Sequence, residues 1–467
     1  MAYFDETASF LDNALPVGKS FDMIKRPITV GGKRAVMYMI DGFVKDEMFE
    51  KILEFLMKAD AAQVSSITSA DDFLAGFVSY VEVSRSADLE AVVKDVLAGV
   101  IALIVDGIEP VMLIDGRTYP MRNVAEPEDD RVLRGSHDGF TETIVMNTAL
   151  IRRRIRDPKL VFEALRVGKQ SSTDVALCYI GGAADSRFLD ELRRRIASIS
   201  SSSMTMGQES LMECLVSKGW WNPFPKVRYT ERPDVAAASV YEGSVVILVD
   251  TSPSALILPA TIFSFAENAN DFYFPPLVGT YLRLIRFILF FSTLFLTPLW
   301  YLLAQNPAML PSWLSFVAIS KPAGLPLWLQ LIIFEIAIDG LKLASLNTPS
   351  ALSNSFSVLG ALILGDFAVQ ANWFAPEVIM YMGLVAVGNF AQSSFELGYA
   401  VKLCRIMLII LTALFGLFGF IGGVAVIAVL LLTNRTVSGS SYLYPLIPFR
   451  PRALLMLIVR MKKHPGA

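Results

Sequence analysis

Residues 284–303 read Leu-Ile-Arg-Phe-Ile-Leu-Phe-Phe-Ser-Thr-Leu-Phe-Leu-Thr-Pro-Leu-Trp-Tyr-Leu-Leu, the first long apolar run in the chain. Its length matches the roughly 20 residues that an α-helix needs to cross bilayer hydrocarbon. The charge pattern changes at the same place. Residues 1–282 hold 29 basic and 39 acidic residues, whereas residues 283–467 hold 12 basic and 5 acidic ones, so net charges of −10 and +7 sum to the −3 of the whole chain. An unpaired carboxylate in hydrocarbon costs several kcal/mol, so the loss of acids marks a change of solvent. The expected fold is an α/β soluble N-terminal region of two related subdomains, followed by an α-helical multi-pass transmembrane domain.

In the polar half, two stretches share one plan. Gly31-Gly32-Lys33-Arg34 leads into the apolar run Ala35 to Ile40, then Asp41-Gly42, then a helical stretch from Lys45 to Lys58. About 140 residues later, Ser171 to Asp174 leads into Val175 to Ile180, then Gly181-Gly182, then a helical stretch from Ser186 to Ile199. Each reads as a buried strand, a glycine turn and an amphipathic helix. A second pair recurs at nearly the same offset. Helical Asp88 to Gly99 precedes Val100 to Asp106 and Pro110 to Asp115, and helical Asp234 to Gly243 precedes Val245 to Asp250 and Ala255 to Pro259. Both read as a helix followed by a β-hairpin. Matching order and offset predict a duplication, with an N-terminal tail at 1–19, cytoplasmic subdomains at 20–120 and 150–275, and a charged connector at 121–149. A helix is expected over Thr141 to Arg156, ending in Arg152, Arg153, Arg154 and Arg156. These four are a candidate basic surface for phosphate or acidic headgroups, although such a run is more often a solvated face making ion pairs.

The membrane domain is expected over 276–434, with about four crossings, before a basic cytoplasmic tail at 435–467. Tyr281, Arg283 and Arg286 read as a flank on the cytoplasmic side of the first span, with Trp300 and Tyr301 at the opposite interface. Asn306 to Pro326 is broken by prolines and is expected along the outer surface. Leu327 to Leu346 carries Glu335, Asp339 and Lys342, and spacings of i, i+4 and i+7 put all three on one helical face. Charges there must face protein or water. They are candidate pore residues, or an internal ion pair of Glu335 or Asp339 with Lys342. Phe356 to Ala371 is short and holds Asp366, which marks a candidate re-entrant segment. Val378 to Phe395 follows, with Asn389, Gln392 and Glu396 near its end, so Asp366, Asn389 and Glu396 join the candidate ion path. Ile406 to Leu432 reads as a long continuous span after Lys402 and Arg405, with Gly416, Gly419, Gly422 and Gly423 permitting close helix contact. The basic tail belongs inside by the positive-inside rule, and both ends inside require an even number of crossings.

Other classes are disfavoured. Cys178, Cys214 and Cys404 have no ligand-like spacing, and His137 and His464 are the two histidines, which argues against a zinc site or a disulfide framework. Met1 to Pro16 has acidic residues and no apolar core, so no signal peptide is expected there. The glycine pairs lack a Walker or G-x-G-x-x-G frame, and no Gly-x-Ser-x-Gly elbow occurs. No enzyme, cofactor, metal or nucleic-acid partner is expected.

Several ordered motifs, however, resemble a known family. Glu126-Pro127, Arg134-Gly135, Asp138-Gly139-Phe140-Thr141-Glu142-Thr143, Asn147, Ile151 to Ile155, Asn222-Pro223-Phe224-Pro225, Thr230-Glu231-Arg232-Pro233-Asp234 and Tyr444 to Phe449 are similar to the hallmarks of spore germinant receptor A subunits, the GerA family. That resemblance covers nearly the whole chain. Ordinary receptor subunits carry a Glu-Leu-Leu-Arg-Glu-Ala-Gly-type segment followed by Arg-Leu-Pro. Here the sequence is Asp339-Gly340-Leu341-Lys342-Leu343-Ala344-Ser345-Leu346-Asn347-Thr348-Pro349. With Gly365 to Val369 and Phe395 to Ala400, this points to a paralogous branch and away from direct nutrient sensing through the usual partner subunits. The resemblance implies a protein of the spore inner membrane, while the apolar segments and basic tail make it multi-pass, cytoplasmic at both ends and in contact with lipid. It implies a homo-oligomer, a ring of five, with a small partner membrane protein and germinant receptors nearby. The implied function is ion release early in germination. A non-conducting scaffold is the alternative, and a secondary transporter, which would show internal repeats in the membrane half, is the third class.

Overall fold

The computed structural model describes residues 2–44, 46–118, 135–199, 206–216, 221–307, 310, 312–319, 323–347 and 368–460. The chain forms two compact units, residues 1–217 with 227–259, and residues 218–226 with 260–467.

The first unit is built from one motif used twice. Its first copy runs α1 (Ala2–Ala14), β1 (Met23–Val30), β2 (Lys33–Ile40), α2 (Asp46–Met57), α3 (Ala61–Ser65), α4 (Ala70–Phe77), β3 (Val83–Ser86), α5 (Leu89–Leu97), β4 (Ile101–Val105) and β5 (Ile108–Ile114). The second runs α6 (Ile144–Arg152), β6 (Leu160–Val167), β7 (Thr173–Ile180), α7 (Ser186–Ala197), α8 (Gln208–Leu215), β8 (Arg228–Thr230), α9 (Pro233–Tyr241), β9 (Val245–Val249) and β10 (Ala255–Leu258). The two five-stranded sheets have equivalent orders, β1-β2-β4-β5-β3 and β6-β7-β9-β10-β8, and all their pairs are antiparallel.

Antiparallel strands usually alternate apolar and polar residues, yet β4 and β9 are buried along their whole length. The reason is that helices cover both faces. In the first sheet, Val36, Tyr38, Ile40, Ala102 and Ile104 pack with Leu11 of α1 and Val92 and Val96 of α5. Ala35, Met37, Met39, Ile101 and Leu103 pack on the other face with Ile52, Leu56, Val64 and Phe73 from α2 to α4. The turn between β1 and β2 is Gly31-Gly32 with φ of +51° and +79°, the two successive positive values that a two-residue hairpin turn of type I′ requires.

Two expectations are corrected here. Residues 2–14, expected to be a tail, form a helix whose Phe4 and Leu11 enter the core. Residues 144–149, assigned to the connector, start α6, the matching first helix of the second copy. Hydrophobic pattern alone missed α1 because nearly half of its residues are polar and interrupt the apolar ones, and it becomes a core element only where the sheet face receives it. Residues 121–134 of that connector lie outside the described residues.

The second unit is helical: α10 (Asn270–Tyr273), α11 (Pro276–Gln305), α12 (Leu327–Asn347), α13 (Pro376–Phe390), α14 (Phe395–Thr433) and α15 (Pro451–Ile458). Of these, α11 and α14 are long and apolar enough to cross a membrane. The expected re-entrant segment, Phe356 to Ala371, lies outside the described residues up to position 367. α13 has 15 residues, and at 1.5 Å per residue this is about 22 Å, short for a complete span.

The expected continuous span over 406–432 is instead a hairpin. Gly416 has φ +58° and ψ −134° inside α14, a conformation that glycine alone adopts without strain. Beyond it the chain doubles back. A Cβ built on Gly419 would lie 1.9 Å from the Leu411 carbonyl oxygen, and one on Gly423 would lie 2.6 Å from a Leu408 methyl. In a straight helix, residues 408 and 423 would be about 22 Å apart. Ile427 likewise joins Leu397, Ala400, Val401 and Cys404 in one core. Gly419 and Gly423 therefore serve contact between two arms of one segment, residues 395–415 and 417–433.

Gly419→Leu is accordingly expected to destabilise this unit by about 3 kcal/mol, the upper end of ordinary overpacking, because the obstacle is backbone that cannot rotate away. Gly422 has open space around its Cβ position, so Gly422→Ala should stay within about 0.5 kcal/mol of wild type. Unfolding of the detergent-solubilised protein in SDS titrations measures both. Equal effects would contradict the hairpin contact.

Candidate functional site

Glu335 sits mid-way along α12, with Asp339 one turn later. The structure pairs both with basic side chains from the first arm of α14. Arg405 Nε donates to Glu335 Oε1 at 2.5 Å and Nη2 donates to Oε2 at 2.9 Å, a bidentate fork. Arg405 Nη1 donates to the Thr293 carbonyl of α11 at 2.5 Å. Lys402 Nζ lies 2.5 Å from Asp339 Oδ2 and 3.4 Å from Glu335 Oε2, and donates to the Glu335 carbonyl at 2.7 Å. Glu335 and Arg405 are 1% and 0% exposed, whereas the Asp339 side chain is 32% exposed. Two acids and two bases thus tie together α11, α12 and α14, and the buried end is fully paired while the Asp339 end opens outward.

This arrangement was half legible. The shared face of Glu335 and Asp339 is as expected, and Lys342 on the same helix also lies against aromatic rings. Its Nζ lies 4.6 Å from the Phe390 ring centroid and 5.5 Å from that of Tyr399. Lys402 and Arg405, read as a flank before a span, supply the counter-charges. The missed signal was complementary spacing: acids at i, i+4 on one apolar helix and bases at i, i+3 on another. Asn389 lies in the last turn of α13 and Glu396 in the first turn of α14, where its carboxylate accepts from Ser394 Oγ at 2.6 Å. Neither belongs to the cluster, and Asp366 lies outside the described residues. Arg283 and Arg286, expected as a basic flank on the cytoplasmic side of the first span, both pair with the buried carboxylate of Asp271, at 3.3 and 2.9 Å. Trp300 and Tyr301 are buried rather than interfacial, and the Trp300 indole donates to the Val317 carbonyl at 2.9 Å.

The arginine run of the first unit also turns inward in part. Arg152 is buried and forks onto Asp22, with Nε to Oδ2 at 2.8 Å and Nη2 to Oδ1 at 3.0 Å. Its Nη2 also reaches Ser20 Oγ at 3.3 Å and the Leu160 carbonyl at 3.1 Å. Arg154 binds Asp138 at 2.6 Å. Burial pushes the Asp138 carboxyl up, but Arg154 and Ser136 pull it down more, leaving it below the usual carboxylate range. Arg153 and Arg156 remain exposed. Arg232 is buried, donates to the Ser136 carbonyl at 3.0 Å and pairs with Asp234 at 2.7 Å. The motif segments 138–143 and 230–234 therefore meet, with the Phe140 amide donating to the Glu231 carbonyl at 2.8 Å. In the second unit, Asn222 Nδ2 donates to the Leu430 carbonyl at 3.1 Å, and the Tyr442 hydroxyl donates to the Pro225 carbonyl at 2.7 Å. The motifs that mark the sequence hold segments in place.

The sequence profile described as "Bacillus/Clostridium GerA spore germination protein" matches residues 11–464. The chain is similar to stage V sporulation protein AF of Bacillus subtilis (strain 168), 38% identical over 98% of this chain and 92% of that protein. It is similar to spore germination protein KA of the same organism, 29% identical over 95% of this chain and 82% of that protein. Among solved structures, the N-terminal domain of the A subunit of the Bacillus megaterium spore germinant receptor GerK3 aligns with 55% of this chain and 91% of that chain, at 27% identity and a TM-score of 0.38.

Proposed function

The chain belongs to the GerA family of spore germination proteins, and from that premise we propose that it is a multi-pass subunit of an oligomeric ion-conducting assembly in the spore inner membrane. A role in germination and membrane association follow from the family and the two long apolar helices. Conduction rests on one further observation, the exposed edge of Asp339. A carboxylate that is 32% exposed on an apolar helix is costly against lipid, so its open side belongs against water or a second subunit. Five copies arranged around an axis would place five such edges along a wet path, where carboxylates favour cations. Lys402 balances part of that charge and sets how strongly the ring selects. The reversal at Gly416 supports two passes for the last apolar segment. Both termini and the first unit then share the cytoplasmic side, and a small membrane partner and germinant receptors are the expected neighbours.

The test is potassium efflux from vegetative cells expressing the protein. Asp339→Asn should change the flux several-fold at equal expression and assembly. An assembled wild type that passes no potassium would replace conduction with the scaffold reading, which the complete internal pairing of Glu335, Lys402 and Arg405 favours.

A further inference from the structure

The strongest unassigned surface lies at the C-terminal end of the described chain. Residues 435–467 contain six Lys or Arg and no Asp or Glu. Within them Leu446, Ile447, Phe449, Leu455 and Met456 are all exposed, and α15 buries none of its residues. A short helix with apolar side chains in the open and arginines before and within it has no reason to be stable in water.

Its position is fixed by polar contacts to the start of α11. Arg283 Nη1 donates to the carbonyls of Met456 and Leu457 at 2.9 and 3.2 Å, satisfying two of the carbonyls that a helix C-terminus leaves open. The Arg460 amide donates to Thr280 Oγ1 at 3.1 Å, and its guanidinium donates to the Phe272 carbonyl at 2.6 Å. A Cβ on Gly279 would come within 3.0 Å of the Arg460 side chain, so glycine there permits the close approach. α15 is therefore pinned at the level where α11, a helix long and apolar enough to span, begins.

We propose that residues 444–460 form an interfacial anchor that lies on the anionic leaflet of the bilayer. The exposed Phe449, Leu455 and Met456 enter the acyl boundary, and Arg450 and Arg452 meet lipid phosphates. Three features select lipid as the occupant: the uncompensated positive charge, the apolar side chains interleaved with it, and the level set by α11. A soluble acidic protein would match the charge but not the row of aliphatic side chains. This proposal rests on the reading that α11 crosses the membrane.

The experiment is spin-label depth measurement on the full chain in vesicles. Cys214→Ser removes the exposed thiol, since Cys178 and Cys404 are buried, and Leu455→Cys and Ile288→Cys introduce single labels. Ile288 is an exposed residue of α11 and reports whether that helix meets lipid. The expected result in phosphatidylglycerol-containing vesicles is that oxygen relaxes both labels more than a nickel chelate does. Replacing phosphatidylglycerol by phosphatidylcholine, or adding Arg450→Gln with Arg452→Gln, should shift the ratio at 455 several-fold toward nickel while leaving 288 unchanged. A nickel-dominated signal at 455 with an oxygen-dominated one at 288 would overturn the anchor alone. Nickel dominance at both would overturn the membrane reading beneath it. Protection of 455 from both agents would mean that a protein surface covers α15, and an oxygen signal independent of lipid charge would remove the headgroup part.

Discussion

Arg405→Leu is expected to destabilise the helical unit by about 3–5 kcal/mol, the cost of removing one partner from a buried ion pair. The guanidinium carries three close contacts, two to Glu335 and one to the Thr293 carbonyl. Without it, Glu335 keeps only Lys402 at 3.4 Å, and Lys402 is already held by Asp339 at 2.5 Å. A carboxylate that is 1% exposed has no water to replace what is lost. The double variant Glu335→Leu with Arg405→Leu removes equal and opposite charges, and should recover most of the loss because apolar groups of similar volume satisfy themselves. SDS unfolding of the four proteins of the cycle gives the coupling energy. Costs that simply add would show that the two side chains do not act as a pair. Flux measured beside stability separates packing from conduction. Asp339→Asn should alter flux with little loss of fold, whereas changes at Glu335 should alter the fold first.

In the first unit, Arg152→Leu should be comparably severe. Asp22 and Ser20 precede β1, while Arg152 ends α6, so the fork joins the start of one repeat to the first helix of the other. Its guanidinium also stacks 5.1 Å from the Phe162 ring centroid. Arg152→Leu leaves Asp22 buried and unpaired, again about 3–5 kcal/mol. Arg152→Lys should rescue little, because an ammonium cannot reproduce the planar fork. Arg153→Ala and Arg156→Ala should cost under about 1 kcal/mol, as exposed pairs do. Urea-dependent protease resistance of the full-length protein reads these differences. If Arg153 and Arg156 matter for folding as much as Arg152, the inward reading of Arg152 fails.

How far the sequence reached depended on whether the signal was local. The two repeats were visible because a strand–turn–helix unit writes its whole pattern within about 30 residues, and the glycine turns and offsets repeated in order. The break in charge composition near residue 283 was visible because it is spread over long stretches of chain. The helical face of Glu335 and Asp339 followed from 3.6-residue periodicity. What partners those carboxylates have did not follow, because Lys402 and Arg405 lie 63 and 70 residues away from Asp339 and Glu335 along the chain.

The same limit explains the other differences. Four arginines within residues 152–156 look alike in sequence, but Arg152 is drawn inward by a carboxylate 130 residues upstream, while Arg153 stays outside because the next side chain on a helix points about 100° away. Glycines in the last apolar segment announced close helix contact without saying with what. One backbone angle, φ of +58° at Gly416, made the partner the other arm of the same segment. Sequence by itself determined the break in composition near residue 283, the duplicated motif and the family. Tertiary structure decided which charges neutralise which, since pairing energy depends on distances that only the folded chain sets.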